Sequence, residues 1–220
     1  GGTVADGAEH YSKNFDTYQD IKGLFPGIYR VGVQAFYRAG AASGDYSSFT
    51  DNDLGTRNTK LYALNGDSAE VVVGIVHLAS GAEEENLSGA DEVTCADGLV
   101  VCNTMAAADY HFNTLDKYHN YLFCEVTADG TLCIGVRKTT LLDTDWSIFD
   151  NFSLEYYGSS VEAYKLWMAG VLADAPQYDF ETLVCSNSVK EHYQAVLAAA
   201  ENATTREEIM AALAEINPAA

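Results

Sequence analysis

The segment GIYRVGVQAFYRAG, residues 27–40, alternates between two sets of side chains with a period of two residues. Successive side chains of a β-strand point to opposite faces of its sheet, so each set shares one face. The more apolar face carries Tyr29, Val31, Val33, Ala35 and Tyr37, and the other carries Ile28, Arg30, Gln34, Phe36 and Arg38. This pattern predicts a strand that buries one face in an apolar core.

Comparable short segments continue from residue 18 to residue 157. They include TKLYAL, AEVVVGIVHL, KYHNYLFCEV and TLCIGVRK, and turns rich in Gly, Asp and Asn separate them. Many short strands without long helices between them are typical of an antiparallel β-sandwich. One short helix is predicted within this region, at TMAAADYHF, residues 104–112.

The apolar period changes to helical spacing after Gly158. Three groups of apolar residues follow at this helical spacing, centred near Trp167, Tyr193 and Leu213. We therefore expect a mainly β protein in two parts, a sandwich over residues 1–158 and a small all-α appendage of three short helices over residues 159–220. Helices this short are marginal alone, so they should dock on the sandwich or on each other, as a spacer or docking module.

The charge balance limits the expected partners. The chain has 12 Lys and Arg against 32 Asp and Glu, a formal net charge of -20. Such a chain repels phosphate backbones and anionic membrane surfaces, so nucleic acid is not an expected partner. No apolar run approaches the ~20 residues that cross a bilayer, so membrane insertion is not expected either. Neutral and cationic partners remain open.

The cysteines do not form a recognisable framework. Their odd number leaves at least one thiol unpaired, and the chain has no CxxC motif for zinc. VTADGTL predicts a hairpin with a three-residue loop and Gly130 in the left-handed conformation. That register places Cys124 and Cys133 on opposite faces, which argues against a disulfide between them. A bridge from Cys95 to Cys102 stays open, and small buried thiols are the favoured interpretation.

The familiar signatures of catalysis are absent from the sequence. The chain has no GxSxG, no HExxH, no Gly-rich phosphate loop and no Walker-type lysine, and its five histidines lack metal-ligand spacing. A glycosidase pair of carboxylates is defined by a distance in space, about 5–10 Å, which sequence does not test. We expect a protein that is not an enzyme.

Side chains suited to sugar binding gather at one predicted end of the sandwich. Sugar recognition uses an aromatic face against apolar C–H groups and planar polar groups that reach the hydroxyls. The predicted contacts are Tyr37 and Arg38 at the end of one strand, Tyr46 and Phe49 in the following loop, and Asp145 and Trp146 at the start of the last strand. They predict a binding site formed by loops at that end.

The last strand, DWSIFDNFSLEYYG, places an acid in an apolar row. Alternation puts Asp150 on the same face as Trp146, Ile148, Phe152, Leu154 and Tyr156. A buried carboxylate is costly unless it is paired, so Asp150 should have a partner. The sequence leaves three candidate partners for its carboxylate: a Ca²⁺ ion, an Arg side chain or backbone N–H groups.

Several segments, in order, carry a family resemblance. They are AEHYSKNFDTYQDIKGLFPGIYRVGVQAFYRAG, KLYA, VCNTMAAADYHF, KYHNYLFCEVTADGTLCIGVRK and DWSIFDNFSLEYYG. Over residues 8–158 the chain resembles the galactose-binding-like β-sandwich class, which includes many carbohydrate-binding modules of secreted, multi-domain glycan-active proteins of gut bacteria. One departure is Cys102, which stands where that pattern has Pro.

The resemblance implies a jelly-roll sandwich and a non-catalytic carbohydrate-binding module, secreted or at the cell surface. Its partners would be a polysaccharide or oligosaccharide and other domains of the same polypeptide. Members often hold a structural Ca²⁺ between the opening segment and the last strand, and Glu9 and Asp150 match its two acidic ligands. Because a fold does not fix a function, a structural or protein-interaction module without a sugar ligand is the alternative.

Overall fold

The computed structural model describes residues 7–41, 58–66, 70–78, 92–94, 98, 100–174 and 186–216. The strands are β1 (Ala8–Tyr11), β2 (Phe15–Lys22), β3 (Gly27–Arg38), β4 (Thr59–Leu64), β5 (Val71–Gly74), β6 (Glu92–Thr94), β7 (Val100–Cys102), β8 (His119–Val126), β9 (Thr131–Lys138) and β10 (Trp146–Gly158). The helices are α1 (Met105–Asn113), α2 (Val161–Asp174), α3 (Asn187–Asn202) and α4 (Arg206–Ile216).

Two four-stranded antiparallel sheets form the sandwich. Sheet A has the order β1-β10-β3-β8, and sheet B has the order β2-β9-β4-β5. Strands β6 and β7 pair separately as a short ribbon. The antiparallel sandwich, the short internal helix and the three C-terminal helices are confirmed.

Strand β3 lies in the centre of sheet A and is covered on both faces. Its predicted apolar face lies in the core between the sheets. On its other face, Phe36 packs in a second cluster with α1, and Ile28 packs in a third cluster with the C-terminal helices. The alternation therefore separates the core between the sheets from the two outer apolar clusters, rather than core from solvent.

The C-terminal helices dock on sheet A and on each other, as expected. Ile28 of β3 shares a buried cluster with Trp167 of α2 and Ile209 of α4. The Arg206 guanidinium donates to Glu125 Oε1 at 2.6 Å and to the Tyr164 hydroxyl at 2.9 Å. These contacts tie α4 to β8 and α2. Within the described ranges, no helix has the length and apolar character needed to cross a bilayer.

The predicted hairpin around Gly130 is wrong, because β8 and β9 belong to different sheets. Gly130 does take the left-handed conformation, with φ of 65°, and its N–H donates to the Thr127 carbonyl at 3.1 Å. A Cβ there would lie 2.8 Å from the Leu24 carbonyl oxygen. The turn thus has the left-handed glycine and the backbone hydrogen bond of a hairpin turn, but it connects β8 in sheet A to β9 in sheet B. Among the described cysteines, Cys102, Cys124 and Cys133 are free thiols.

A bulge in β10 breaks the predicted row of side chains. The pairing of β10 with β3 shifts register between Asp150 and Ser153, and Asn151 adopts a φ of 52°. A bulge inserts an extra residue, so the following side chains change face. Trp146 therefore lies in the cluster beneath α1, whereas Leu154 packs against the core between the sheets.

A fully buried ion pair links the two sheets. Lys138 ends β9 of sheet B and Asp145 immediately precedes β10 of sheet A; the Lys138 ammonium donates to Asp145 Oδ1, and both side chains are 0% exposed. The opening segment joins the same point, because the Ser12 N–H donates to the Asp145 carbonyl at 2.9 Å. The pair therefore fixes one end of the sandwich where three segments meet.

Replacing Lys138 with Met should lower the free energy of unfolding by ~3–5 kcal/mol, because Asp145 is left as an unpaired buried charge. Urea denaturation measures the change. The double variant Lys138→Met, Asp145→Leu should recover much of the loss, because it removes both charges. The exposed Arg30–Glu155 pair is the control, and Arg30→Met should cost about 1 kcal/mol or less. Equal losses in the two single variants would contradict this assignment.

Candidate functional site

Two of the predicted sugar contacts lie in the interior. Tyr37 and Asp145 are both 0% exposed. The Tyr37 hydroxyl accepts a hydrogen bond from Asn58 Nδ2 at 3.3 Å, and burial raises its pKa to about 12. Asp145 is held by Lys138. Neither side chain has a surface that a ligand can reach, so the structure assigns both a structural role.

Arg38 and Trp146 are brought together, but they too are buried. The guanidinium carbon of Arg38 lies 5.0 Å from the centre of the Trp146 ring. Arg38 also donates to Asn103 Oδ1 at 2.8 Å and to the Gly40 carbonyl at 3.0 Å. The pair forms a cation–π contact beneath the surface rather than an open platform. The other two predicted contacts, Tyr46 and Phe49, lie outside the described residues.

The predicted metal ligands lie on neighbouring strands. Glu9 pairs with Ile148 across β1 and β10, which places Glu9 and Asp150 on the same face of sheet A. Glu9 Oε1 accepts a hydrogen bond from Trp146 Nε1 at 2.8 Å, so this carboxylate already has a side-chain partner. Asp150 is half-buried, and its Oδ1 accepts the Asn151 N–H at 2.7 Å. A backbone N–H is one of the partners that the sequence left open.

This arrangement does not by itself form a calcium site. Ca²⁺ takes six to eight oxygen ligands, and these two acids supply only part of that number. In the part of the chain that the structure describes, no group of three His, Cys, Asp or Glu side chains is placed to hold a metal. Further ligands would have to be backbone carbonyls or waters.

A different set of side chains is exposed on the outer face of sheet B. Alternate residues of β2 point outward there, namely Asp16, Tyr18, Asp20 and Lys22, which we call the Tyr18 strip. Tyr18 is 60% exposed. It lies opposite Gly135 of β9, where a Cβ would come within 2.8 Å of the Tyr18 Cβ and 2.9 Å of Tyr62 Cε1. Glycine at this position lets side chains from both neighbouring strands lie close to the sheet.

A fixed network supports the Tyr18 strip from the neighbouring strands. The buried Tyr62 of β4 donates its hydroxyl to Asp16 Oδ1 at 2.8 Å. The Arg137 guanidinium lies 4.6 Å from the Tyr62 ring centre and pairs with both carboxylate oxygens of Glu70. Burial and the hydrogen bond to Asp16 raise the pKa of Tyr62, so the phenol remains a donor. Asp16 is thereby held in one orientation beside Tyr18.

A cavity of about 310 Å³ opens at the Lys22 end of the strip. Its lining includes Asp20, Lys22, Leu64, Gly66, Thr131 and Cys133. The volume is at the lower limit of small-ligand pockets. The lining combines a carboxylate, an ammonium and a hydroxyl with apolar carbon, which suits a small polar molecule that also has an apolar face.

The wall of this cavity is ordered by Asp129. Its Oδ1 accepts from Asn65 Nδ2 at 3.0 Å and from Thr127 Oγ1 at 3.2 Å, and its Oδ2 accepts from Thr131 Oγ1 at 2.7 Å. These hydrogen bonds, that of Thr131 first, lower the pKa of Asp129 to about 2. The turn that presents Thr131 to the cavity is therefore preorganised above that pH.

The Tyr18 strip is not among the sugar contacts predicted from sequence, although a signal for it exists. FDTYQDIK alternates, and its polar row contains one large aromatic residue, Tyr18. An aromatic side chain among charges on the solvent face of a strand marks a position that packing in the core does not explain. The pattern cannot show that Gly135 and Tyr62 lie beside it, because those residues are distant in sequence.

Comparisons with known proteins leave the function open. No protein-family model and no curated protein matches the chain. The chain is similar to the solved structure of TmCBM61 in complex with β-1,4-galactotriose, with 13% identity, a TM-score of 0.34, and coverage of 68% of this chain and 70% of that one. The flagellar cap protein FliD from Escherichia coli, domains D1-D2-D3, aligns with 11% identity, a TM-score of 0.11, and coverage of 96% and 81%. Likenesses this weak do not bear on function.

The Asp129 carboxyl should titrate at about pH 2, well below its ordinary value of 3.8. Since its folded-state pKa is depressed, its contribution to stability is full above the ordinary pKa and is lost as the pH falls toward 2. Carboxyl-detected NMR measures the midpoint. Asn65→Ala removes one donor and should move the midpoint upward. An Asp129 midpoint at its ordinary value in the parent protein would contradict the hydrogen-bonded wall.

Proposed function

We propose that this protein is a non-catalytic carbohydrate-binding module that binds sugar on the outer face of sheet B. The observation that carries the proposal is Tyr18, a mostly exposed ring between two carboxylates and beside a cavity whose lining combines apolar carbon with a few polar groups. The site lies on strands, whereas the sequence had predicted loops at the other end of the sandwich. Strands hold side chains in more defined positions than loops do.

The chemistry of the strip matches that of a pyranose ring. The Tyr18 face supplies an apolar surface for the C–H groups of the sugar. Ionised Asp16 and Asp20 accept hydrogen bonds from hydroxyls, and bonds to charged acceptors are stronger than bonds to neutral ones. Lys22 lines the cavity at the other end of the strip, where its ammonium is a donor for a sugar hydroxyl. A shallow and solvated surface of this kind gives weak affinity.

The expected ligand is a neutral glycan. The net charge of -20 opposes anionic sugars such as polyuronates. The cation nearest the middle of the strip, Arg137, is already paired with Glu70. Neutral hydroxyl-rich chains face no such repulsion.

The strip binds sugar without cleaving it. Asp16 and Asp20 lie four residues apart on one strand, so their backbone positions are separated by ~13 Å. Glycosidase carboxyl pairs lie within about 10 Å of each other. This spacing suits two separate hydrogen-bonding positions rather than an acid and base acting on one bond.

The setting we propose is an extracellular protein with several domains, in which the module holds an enzymatic neighbour close to its glycan. This setting rests on the resemblance in sequence to secreted glycan-active proteins of gut bacteria. The alternative, a structural or protein-interaction module, would draw on exposed apolar side chains of the helices. Leu166 and Val189 are such side chains, but isolated exposed aliphatic residues are normal on protein surfaces.

A structural Ca²⁺ at Glu9 and Asp150 is a separate proposal. It is supported by the two acids sharing a face on neighbouring strands at the start and the end of the sandwich. An ion bound only to the folded state stabilises that state, so EDTA should lower the Tm by several degrees and added Ca²⁺ should restore it. Asp150→Asn should abolish the response. A Tm that is the same with and without EDTA rejects the ion.

Tyr18→Ala should weaken glycan binding at least tenfold, about 1.4 kcal/mol, because it removes the stacking surface. Isothermal titration against neutral plant and host glycans measures the effect. Tyr110→Ala is the matched control, since Tyr110 is an exposed tyrosine on α1, on the other sheet. Binding that survives Tyr18→Ala unchanged, or the absence of binding to any glycan, would reject the proposed site.

A further inference from the structure

We infer that the ligand is an oligosaccharide of at least three linked residues, which contacts Tyr18, the cavity and Phe25 in succession. The inference rests on the proposed function and extends the site to the turn between β2 and β3. Tyr18 and the cavity are the first two contact points. Phe25, which the proposed function does not use, is the third.

Phe25 is 73% exposed, more than any other large hydrophobic side chain that the structure describes. An isolated exposed apolar residue needs no special explanation. Phe25, however, has a neighbour, because its ring centre lies 6.4 Å from that of Tyr156, which is itself 48% exposed. Together the two rings form an exposed aromatic surface at one end of the sandwich.

The turn that carries Phe25 is fixed from several sides. The Tyr29 hydroxyl donates to the Phe25 carbonyl at 3.0 Å, and the Tyr156 hydroxyl donates to the Pro26 carbonyl at 3.0 Å. The preceding Leu24 packs its side chain against the core. The backbone is thus held in place while the Phe25 ring is left in solvent. A backbone held in this way loses little conformational freedom when a ligand binds.

The turn adjoins the cavity directly. Lys22 lines the cavity and lies two residues before Leu24. The Leu24 N–H donates to the Gly130 carbonyl at 3.0 Å, and the next residue, Thr131, also lines the cavity. Phe25 therefore lies three residues beyond Lys22, in the turn that follows β2 beside the cavity.

The spacing of the contacts sets the size of the ligand. Tyr18 and Lys22 are four residues apart in a strand, about 13 Å. One sugar ring does not reach from Tyr18 past Lys22 to Phe25. Only a chain of linked residues that extends from Tyr18 across the cavity to the turn makes all three contacts.

The test is isothermal titration with ladders of neutral β-1,4-linked galacto-, gluco-, xylo- and manno-oligosaccharides, each from one to six residues long. For a ladder that binds, affinity should rise up to at least the trisaccharide. Phe25→Ala should weaken the longer sugars about fivefold to tenfold and leave the monosaccharide unchanged. Phe25→Tyr keeps the aromatic face and should restore the parent affinity. Thermal unfolding of Phe25→Ala should match that of the parent, because the side chain is exposed.

The outcomes separate this inference from the proposed function. Binding that is lost in Tyr18→Ala but has the same affinity for one residue as for six overturns the inference alone. A Phe25→Ala variant that binds the hexasaccharide as the parent does also overturns it. The absence of binding to every ladder and to the wider set of neutral plant and host glycans rejects the proposed function, and the inference falls with it. Amide NMR shifts at Leu24 and Phe25 that appear only with the longer sugars support the extended site.

Discussion

The buried ion pair of Lys138 and Asp145 is the constraint on which the sandwich depends. It joins the end of β9 in sheet B to the start of β10 in sheet A, and the opening segment bonds to the same point through Ser12. Two charges without solvent contact are tolerated only in a fixed geometry, because either charge alone would be strongly destabilising. The pair thus sets how the sheets meet, and with it the position of β2, which pairs with β9 along its whole length.

Once the sheets are fixed, their outer faces have different roles. Sheet A is covered by α1 near one end of β3 and by the C-terminal helices near the other. The outer face of β2 in sheet B carries exposed polar side chains, and charges on such an edge strand discourage pairing with another chain. Tyr18 is the exception in that row. Its ring is 60% exposed and carries no charge.

The sequence predicts the sandwich well, because the alternation in GIYRVGVQAFYRAG and the helical spacing after Gly158 are local signals. The sequence is a poorer guide to which aspartate is buried and paired with an opposite charge. Asp150 was expected to be neutralised inside the protein, but a bulge at Asn151 leaves it half-buried with a backbone partner, and Asp145 is the buried acid. The change of sheet after Val126 was likewise hidden, since a turn with Gly130 has the same local chemistry in a hairpin and in a crossing between sheets.

The candidate site was hidden for a related reason. An aromatic side chain can stack on a ligand only if it is exposed, and the residue type does not show this. Its exposure depends on neighbouring residues that are distant in sequence. Trp146 and Tyr37 looked suitable for stacking but pack inside, whereas Tyr18 lies on the edge strand β2 and is 60% exposed. The helices after β10 pack on sheet A, so among the described residues they do not cover the Tyr18 strip on sheet B.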